Sequence, residues 1–118
     1  MSKPAIRVAL KEFRLHINYA TLSCLENPPY LHFRYNEKKN LLAVSGSNEE
    51  TANSFEVPKR AAHGECYISR MALTESLRRR MGWNENESYR ITGEFLPDMG
   101  VVLFDLSDAT IVTQSVSE

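Results

Sequence analysis

MGWNENESYRI, residues 81–91, closes one element and opens another. Met81-Gly82-Trp83 follows a run with a single apolar stripe, residues 84–88 are polar, and Tyr89-Arg90-Ile91 begins an apolar/polar alternation of period 2. Working upstream, Leu73, Leu77 and Met81 fall one turn apart, so RMALTESLRRRM predicts a helix with one apolar face. Ser69 is placed to cap its start and Gly82 to cap its end in the left-handed conformation. Arg78, Arg79 and Arg80 occupy the last turn, where cations complement the helix dipole. ECYISR before the helix reads as a strand. Downstream, YRITGEF alternates, LPDMG makes a polar link, and VVLFDLS carries apolar residues on both faces, the pattern of a central or doubly covered strand. The tail ATIVTQSVSE adds one more strand through Ile111 and Val112.

The first half has the same order of elements. FRLHINY alternates Phe13, Leu15, Ile17 and Tyr19 against Arg14, His16 and Asn18, and Asn18 can cap a short helix in ATLSCLEN that Pro28 and Pro29 must end. YLHFRY, NEKKN and LLAVSG then read as a hairpin. The polar residues of about 47–63 form a linker that only Phe55 and Val57 can anchor. From Ile17 to Tyr30 is 13 residues and from Ile68 to Tyr89 is 21, a difference of about two helical turns. The expected fold is α+β, mainly β: one domain over 1–118 made of two pseudo-repeated β-α-β-β units, about 13–46 and about 64–107. Packed together they would form one pseudo-symmetric core, since a single unit need not bury its apolar face alone.

Composition is ordinary for a globular chain of 118 residues, 42% hydrophobic and 25% charged. No segment approaches the roughly 20 apolar residues of a membrane span, and charge breaks MSKPAIRVALKEF before a signal-peptide core can form, so a soluble, cytoplasmic protein is expected. Cys24 and Cys66 are expected to be reduced thiols. The formal net charge is −1, which gives the whole molecule no general attraction to phosphate backbones. Residues 1–14 depart from that balance, with Lys3, Arg7, Lys11 and Arg14 against Glu12 alone, and read as a basic arm.

The second unit, GECYISRMALTESLRRRMGWNENESYRITGE, resembles the AbrB/SpoVT family of bacterial swapped-hairpin proteins. That family's pattern is a Gly-led strand, a short helix ending in Leu-Gly-Ile, a Lys-Glu-Gly-Asp turn and a strand. Gly64 stands for the leading Gly, Ile68 for the strand apolar, Met81-Gly82-Trp83 for the Leu-Gly-Ile, and residues 84–87 for the turn. Trp83 then looks like a core plug, and Asn86 takes the left-handed place of the turn's Gly. Ser69 replaces the family's Pro, and the first unit lacks the leading Gly. The tandem arrangement is similar to that of the two-repeat MraZ relatives, but their Asp-x-x-x-Arg signature is missing from both helix positions. The resemblance implies a small AbrB-like barrel or pseudo-dimer and a DNA-binding transcriptional regulator.

No Gly-x-Ser-x-Gly elbow, phosphate-binding Gly loop or helical His pair accompanies His16, His32 and His63, so the chain reads as non-enzymatic, with no cofactor. His63-Gly64-Glu65-Cys66 supplies at most two of the four ligands of a zinc site, and no metal is expected. Tyr30, Phe33, Tyr35 and Tyr67 fit core or cross-strand packing better than stacking platforms. The resemblance implies binding through basic arms and hairpin loops, with Arg7, Lys11, Arg14, Lys38, Lys39, Arg78 and Arg79 as the candidate phosphate contacts. The competing explanation for the Arg78–Arg80 run is dipole complementation, and for Lys38 and Lys39 a solvated turn. Double-stranded DNA, a protein partner and a second copy of the chain are the candidate partners. The rival to the regulator is a protein-binding accessory or inhibitory module, of mobile-element or antitoxin type, that does not bind DNA.

Overall fold

The computed structural model describes residues 3–58 and 66–112. In chain order the elements are β1 (Ala5–Ala9), β2 (Arg14–Ile17), α1 (Tyr19–Cys24), β3 (Tyr30–Asn36), β4 (Leu41–Ser47), β5 (Phe55–Glu56) and β6 (Cys66–Ser69). Then follow α2 (Met71–Met81), β7 (Ser88–Leu96), β8 (Val101–Asp105) and β9 (Thr110–Ile111). Single 3-10 turns occupy Leu10–Glu12 and Leu106–Asp108.

The strands form one antiparallel path, β5-β3-β4-β8-β7-β1-β2-β6, which curls into a nearly closed barrel, and the fold is α+β, mainly β. β7 joins the two halves of this path. Its first residues pair with β1 (Ile6 opposite Ile91) and its last with β8 (Phe95 opposite Val102). β9 lies along the same edge of β7 as β8, with Tyr89 opposite Ile111, after the 3-10 turn that buries Leu106. β8 is central, between β4 and β7, which accounts for its apolar residues on both faces. Inside the barrel Ile6, Val8, Leu15, Ile17, Leu31, Leu42, Val44, Ile91, Val102 and Phe104 are buried, the inward parity of six strands.

The helices sit where the caps put them. Asn18 Oδ1 accepts the Thr21 N–H at 2.9 Å and starts α1. Gly82, at φ 67°, ends α2, and Trp83 is buried with its ring stacked 4.6 Å from that of Tyr89. Leu77 and Thr74 are the buried residues of α2, with Leu73 and Met81 packed partly against the core.

Three expectations are corrected. Residues 5–9 are not an arm: they form β1, in the middle of the sheet between β7 and β2, because Ile6 and Val8 fill the core. Ser69 is the last residue of β6 and does not cap α2. The cap position falls on Arg70, whose carbonyl accepts from the Thr74 hydroxyl at 3.2 Å. Asn86 is not left-handed. The 84–87 turn is closed instead by Asn84, whose Oδ1 accepts the Asn86 N–H at 2.9 Å while its carbonyl accepts the Glu87 N–H. Left-handed residues instead end the two hairpin links, Asn40 (φ 55°) and Gly100 (φ 65°). His63 and Gly64 lie outside the described residues.

Candidate nucleic-acid interface

The outward parity of β9-β7-β1-β2-β6 builds a surface that no local stretch of sequence contains. Directly opposed residues on antiparallel strands share a face. Thr110 opposes Arg90, Arg90 opposes Arg7, Arg7 opposes His16, and His16 opposes Tyr67, so five strands contribute one continuous row. The next row is Ser88, Ala9, Arg14 and Ser69. Arg14 reaches diagonally between rows, its guanidinium carbon 5.2 Å from the centre of the Tyr67 ring. The His16 and Tyr67 rings lie 4.8 Å apart, and Tyr67 remains 49% exposed.

Charge in these two rows is one-sided. None of the described positions in the two rows is an acid, and Arg7, Arg14 and Arg90 form no ion pair with a described carboxylate. Arg7 is half-buried beneath its neighbours, and its Nε is buried without a hydrogen-bond acceptor. Arg90 is exposed.

The other expected contacts lie elsewhere. Lys11 is exposed on the 3-10 turn joining β1 to β2. Lys38 and Lys39 are exposed at the β3–β4 tip, where their backbone N–H groups donate to Asn36 Oδ1, the solvated-turn arrangement. Arg78 spends its charge within α2: its Nη2 lies 3.0 Å from Glu75 Oε1. That bond holds the Glu75 carboxyl below its ordinary range and raises Arg78. Arg79 is exposed. Arg80 pairs with Glu37 and lies over the Tyr35 ring at 5.6 Å, tying the end of α2 to the same hairpin tip. Of the seven expected residues, then, the sheet face gathers Arg7 and Arg14 and leaves the other five outside its two rows.

Arg90, His16 and Tyr67 are the additions. The alternations AIRVA and SYRIT carry the signal that Arg7 and Arg90 point outward, but only strand register shows that they face each other. Tyr67 makes the expected cross-strand contact, on the outer face rather than in the core.

Cys24 and Cys66 are free thiols, and burial pushes Cys66 up to about 11. Among the described residues no group of three or more His, Cys, Asp or Glu side chains is placed to hold a metal ion. No described helix is long and apolar enough to cross a membrane. On the opposite side of the barrel, the outward parity of β4, β8 and the end of β7 presents half-buried Leu41, Ala43, Val101, Leu103 and Leu96. In comparison with known proteins, no family model, no curated protein and no solved structure matches this chain.

Proposed function

We propose that the protein is a non-enzymatic, AbrB-like DNA-binding regulator that lays the outer face of β7-β1-β2-β6 against a nucleic-acid backbone. The observation that carries this reading is the row Arg90-Arg7-His16-Tyr67 with Arg14 beside it: three guanidinium groups and an exposed aromatic ring in two adjacent rows that contain no described acid. Arginine forks suit phosphate oxygens, and an exposed ring can lie against a sugar or base. A near-neutral molecule with one basic face binds through that face alone.

The repeat belongs to the same proposal. Its support is the pairing pattern: β2 pairs with β6, β4 with β8, β1 takes the edge of β7, and β5 takes the edge of β3. β2 and β4 thus meet their counterparts, while β1 and β5, the strands ahead of each unit, pair with β7 and β3 of the other, as two interlocked hairpin units would.

Fluorescence anisotropy with mixed-sequence duplex DNA tests the reading. Three phosphate contacts predict a log-log salt slope of about −2.7, which is a loss of about 40-fold in affinity between about 50 and about 200 mM salt. Arg14→Ala should weaken binding and flatten the slope, whereas Lys38→Ala should change neither. Absence of binding at about 50 mM salt would remove the proposal. The apolar outer face of β4 and β8 favours a second reading, a protein-binding accessory module or homodimer. Sedimentation of the wild type and Leu103→Glu separates the two: a dimer dissociated by L103E, with no DNA binding, selects the second.

A further inference from the structure

We propose that Arg7 and Arg90 are the two jaws of a phosphate-binding site on this face. The nucleic-acid reading supplies one source of the phosphate, while the site itself rests on the geometry of the two side chains. Arg7 and Arg90 are directly opposed on adjacent antiparallel strands, which holds their Cβ atoms about 4.5–5.5 Å apart. Like charges in that register repel, and both guanidinium groups stay protonated at any physiological pH. The positions around the pair offer no relief: Thr110 and His16 complete the row, Ser88, Ala9 and Arg14 flank it on one side, and Ala5 and Thr92 on the other. None is a carboxylate.

The second observation is the buried Nε of Arg7, which has no acceptor. A buried donor on a permanently charged group is costly to leave unmade, and such orphans are rare in folded proteins. An oxyanion seated between the guanidinium groups reverses the repulsion, and it supplies the acceptor once the Arg7 side chain turns its Nε out from cover. The chemistry selects phosphate. A planar carboxylate matches a single guanidinium fork, whereas a tetrahedral phosphate has enough free oxygens to accept from two side chains on neighbouring strands at once. The Thr110 hydroxyl, next to Arg90 in the row, is a further donor, and Tyr67 and Arg14 lie beyond His16 where a group attached to that phosphate would run. The ligand is therefore a phosphate ester, either a backbone diester or a free phosphate species.

The test titrates inorganic phosphate into full-length protein at constant ionic strength, following the arginine Nε–Hε resonances, and repeats the duplex anisotropy with the same proteins. The site predicts a saturable shift of the Arg7 resonance in the wild type. It predicts phosphate binding weaker by about tenfold or more in Arg90→Gln, Arg7→Gln and Arg7→Lys, the last because it keeps the charge and loses the fork. Arg90 is exposed, so R90Q keeps the test alive if changes at Arg7 disturb the sheet. Phosphate stabilises proteins in general, so the melting readout is the difference between wild type and R90Q. R90Q should melt no lower than wild type in chloride and gain less from phosphate. If phosphate binding is lost in the variants and duplex affinity falls with it, the source is the backbone. If phosphate binds in this way and duplex does not, the site stands and the nucleic-acid reading falls. Duplex binding unchanged by R7Q and R90Q, with no saturable phosphate shift, overturns the site while leaving that reading in place. A non-saturating response equal in all variants marks an adventitious ion only and also overturns it.

Discussion

Gly93 stands where β7 leaves β1 for β8, and its missing side chain is what lets the core close there. A Cβ at this position would lie 2.6 Å from Cε1 of Phe104, a ring that is itself fully buried. Gly93→Ala should therefore destabilise the fold by about 1–3 kcal/mol, the usual penalty of overpacking, measured by urea denaturation. An unchanged midpoint would mean that Phe104 has room to move. Cys66 gives a prediction of a different kind. Burial raises its thiol to about 11, whereas the unfolded chain's thiol ionises near its ordinary value of about 8.5. The native state thus holds a proton that the unfolded state releases as pH climbs between those values. This contribution is fully present below the lower one and falls by about 1.4 kcal/mol per pH unit across the window. Wild type should lose stability relative to Cys66→Ala between about pH 9 and 10.5, and parallel curves would refute the burial effect. Neither property is legible along the chain: Gly93 reads as an unremarked residue in YRITGEF, and Cys66 as one of two reduced thiols, until the ring and the core around them are known.

At the scale of elements, local signals served well where the cause was local. Asn18, the proline pair after α1, Gly82 and the alternation around both hairpins each act within a few residues, and the structure has α1, α2, β3, β4, β7 and β8 where those signals place them. Signals with a competitor a few residues away misled. Ser69 was a good cap by type, yet β6 needs it in register with Arg14, so the helix starts one residue later with no side-chain cap. Asn18 also does more than cap. Its Oδ1 accepts from the Ala5 N–H at 3.1 Å and from the Thr21 hydroxyl at 2.7 Å, while its Nδ2 donates to the Lys3 carbonyl, so α1 is fastened to the start of β1. Asn18→Ala should cost about 1–2 kcal/mol. The Ala5 N–H would keep the Thr21 Oγ1 as a second acceptor at 3.0 Å. Combining it with Thr21→Val removes both acceptors, and the double variant should lose more than the sum of the singles, since a buried N–H is then left unpaired. Additive losses in denaturant titrations would show that the two contacts act independently.

For the whole molecule, the decisive interactions are the long-range ones, and these are what sequence conceals. AIRVA has only two large apolar residues, one on each side of Arg7, which suits an arm as well as a strand. Its place is decided by β7, more than 80 residues away, whose edge it shares with β2 on its other side. The same distance separates Arg7 from Arg90, so the basic face cannot be assembled from charge runs: Arg78–Arg80 and Lys38-Lys39 stand out as clusters in the sequence, and the opposed pair does not. A central β1 makes a prediction that an arm does not. Removing residues 1–9 would take the buried Ile6 and Val8 out of the core, each contributing about 1.5–3 kcal/mol, and would leave the facing ladder groups of β7 and β2 without partners inside the barrel. Against a total stability of about 5–15 kcal/mol for a domain of this kind, that loss should abolish cooperative folding. The truncated chain should show no sigmoidal thermal transition by circular dichroism and should lose the protection of Val8's partners Leu15 and Tyr89 from hydrogen exchange. A cooperative melt close to that of the full chain would mean that these residues lie on the barrel without closing it, and the Arg7–Arg90 site would then lose the strand that presents it.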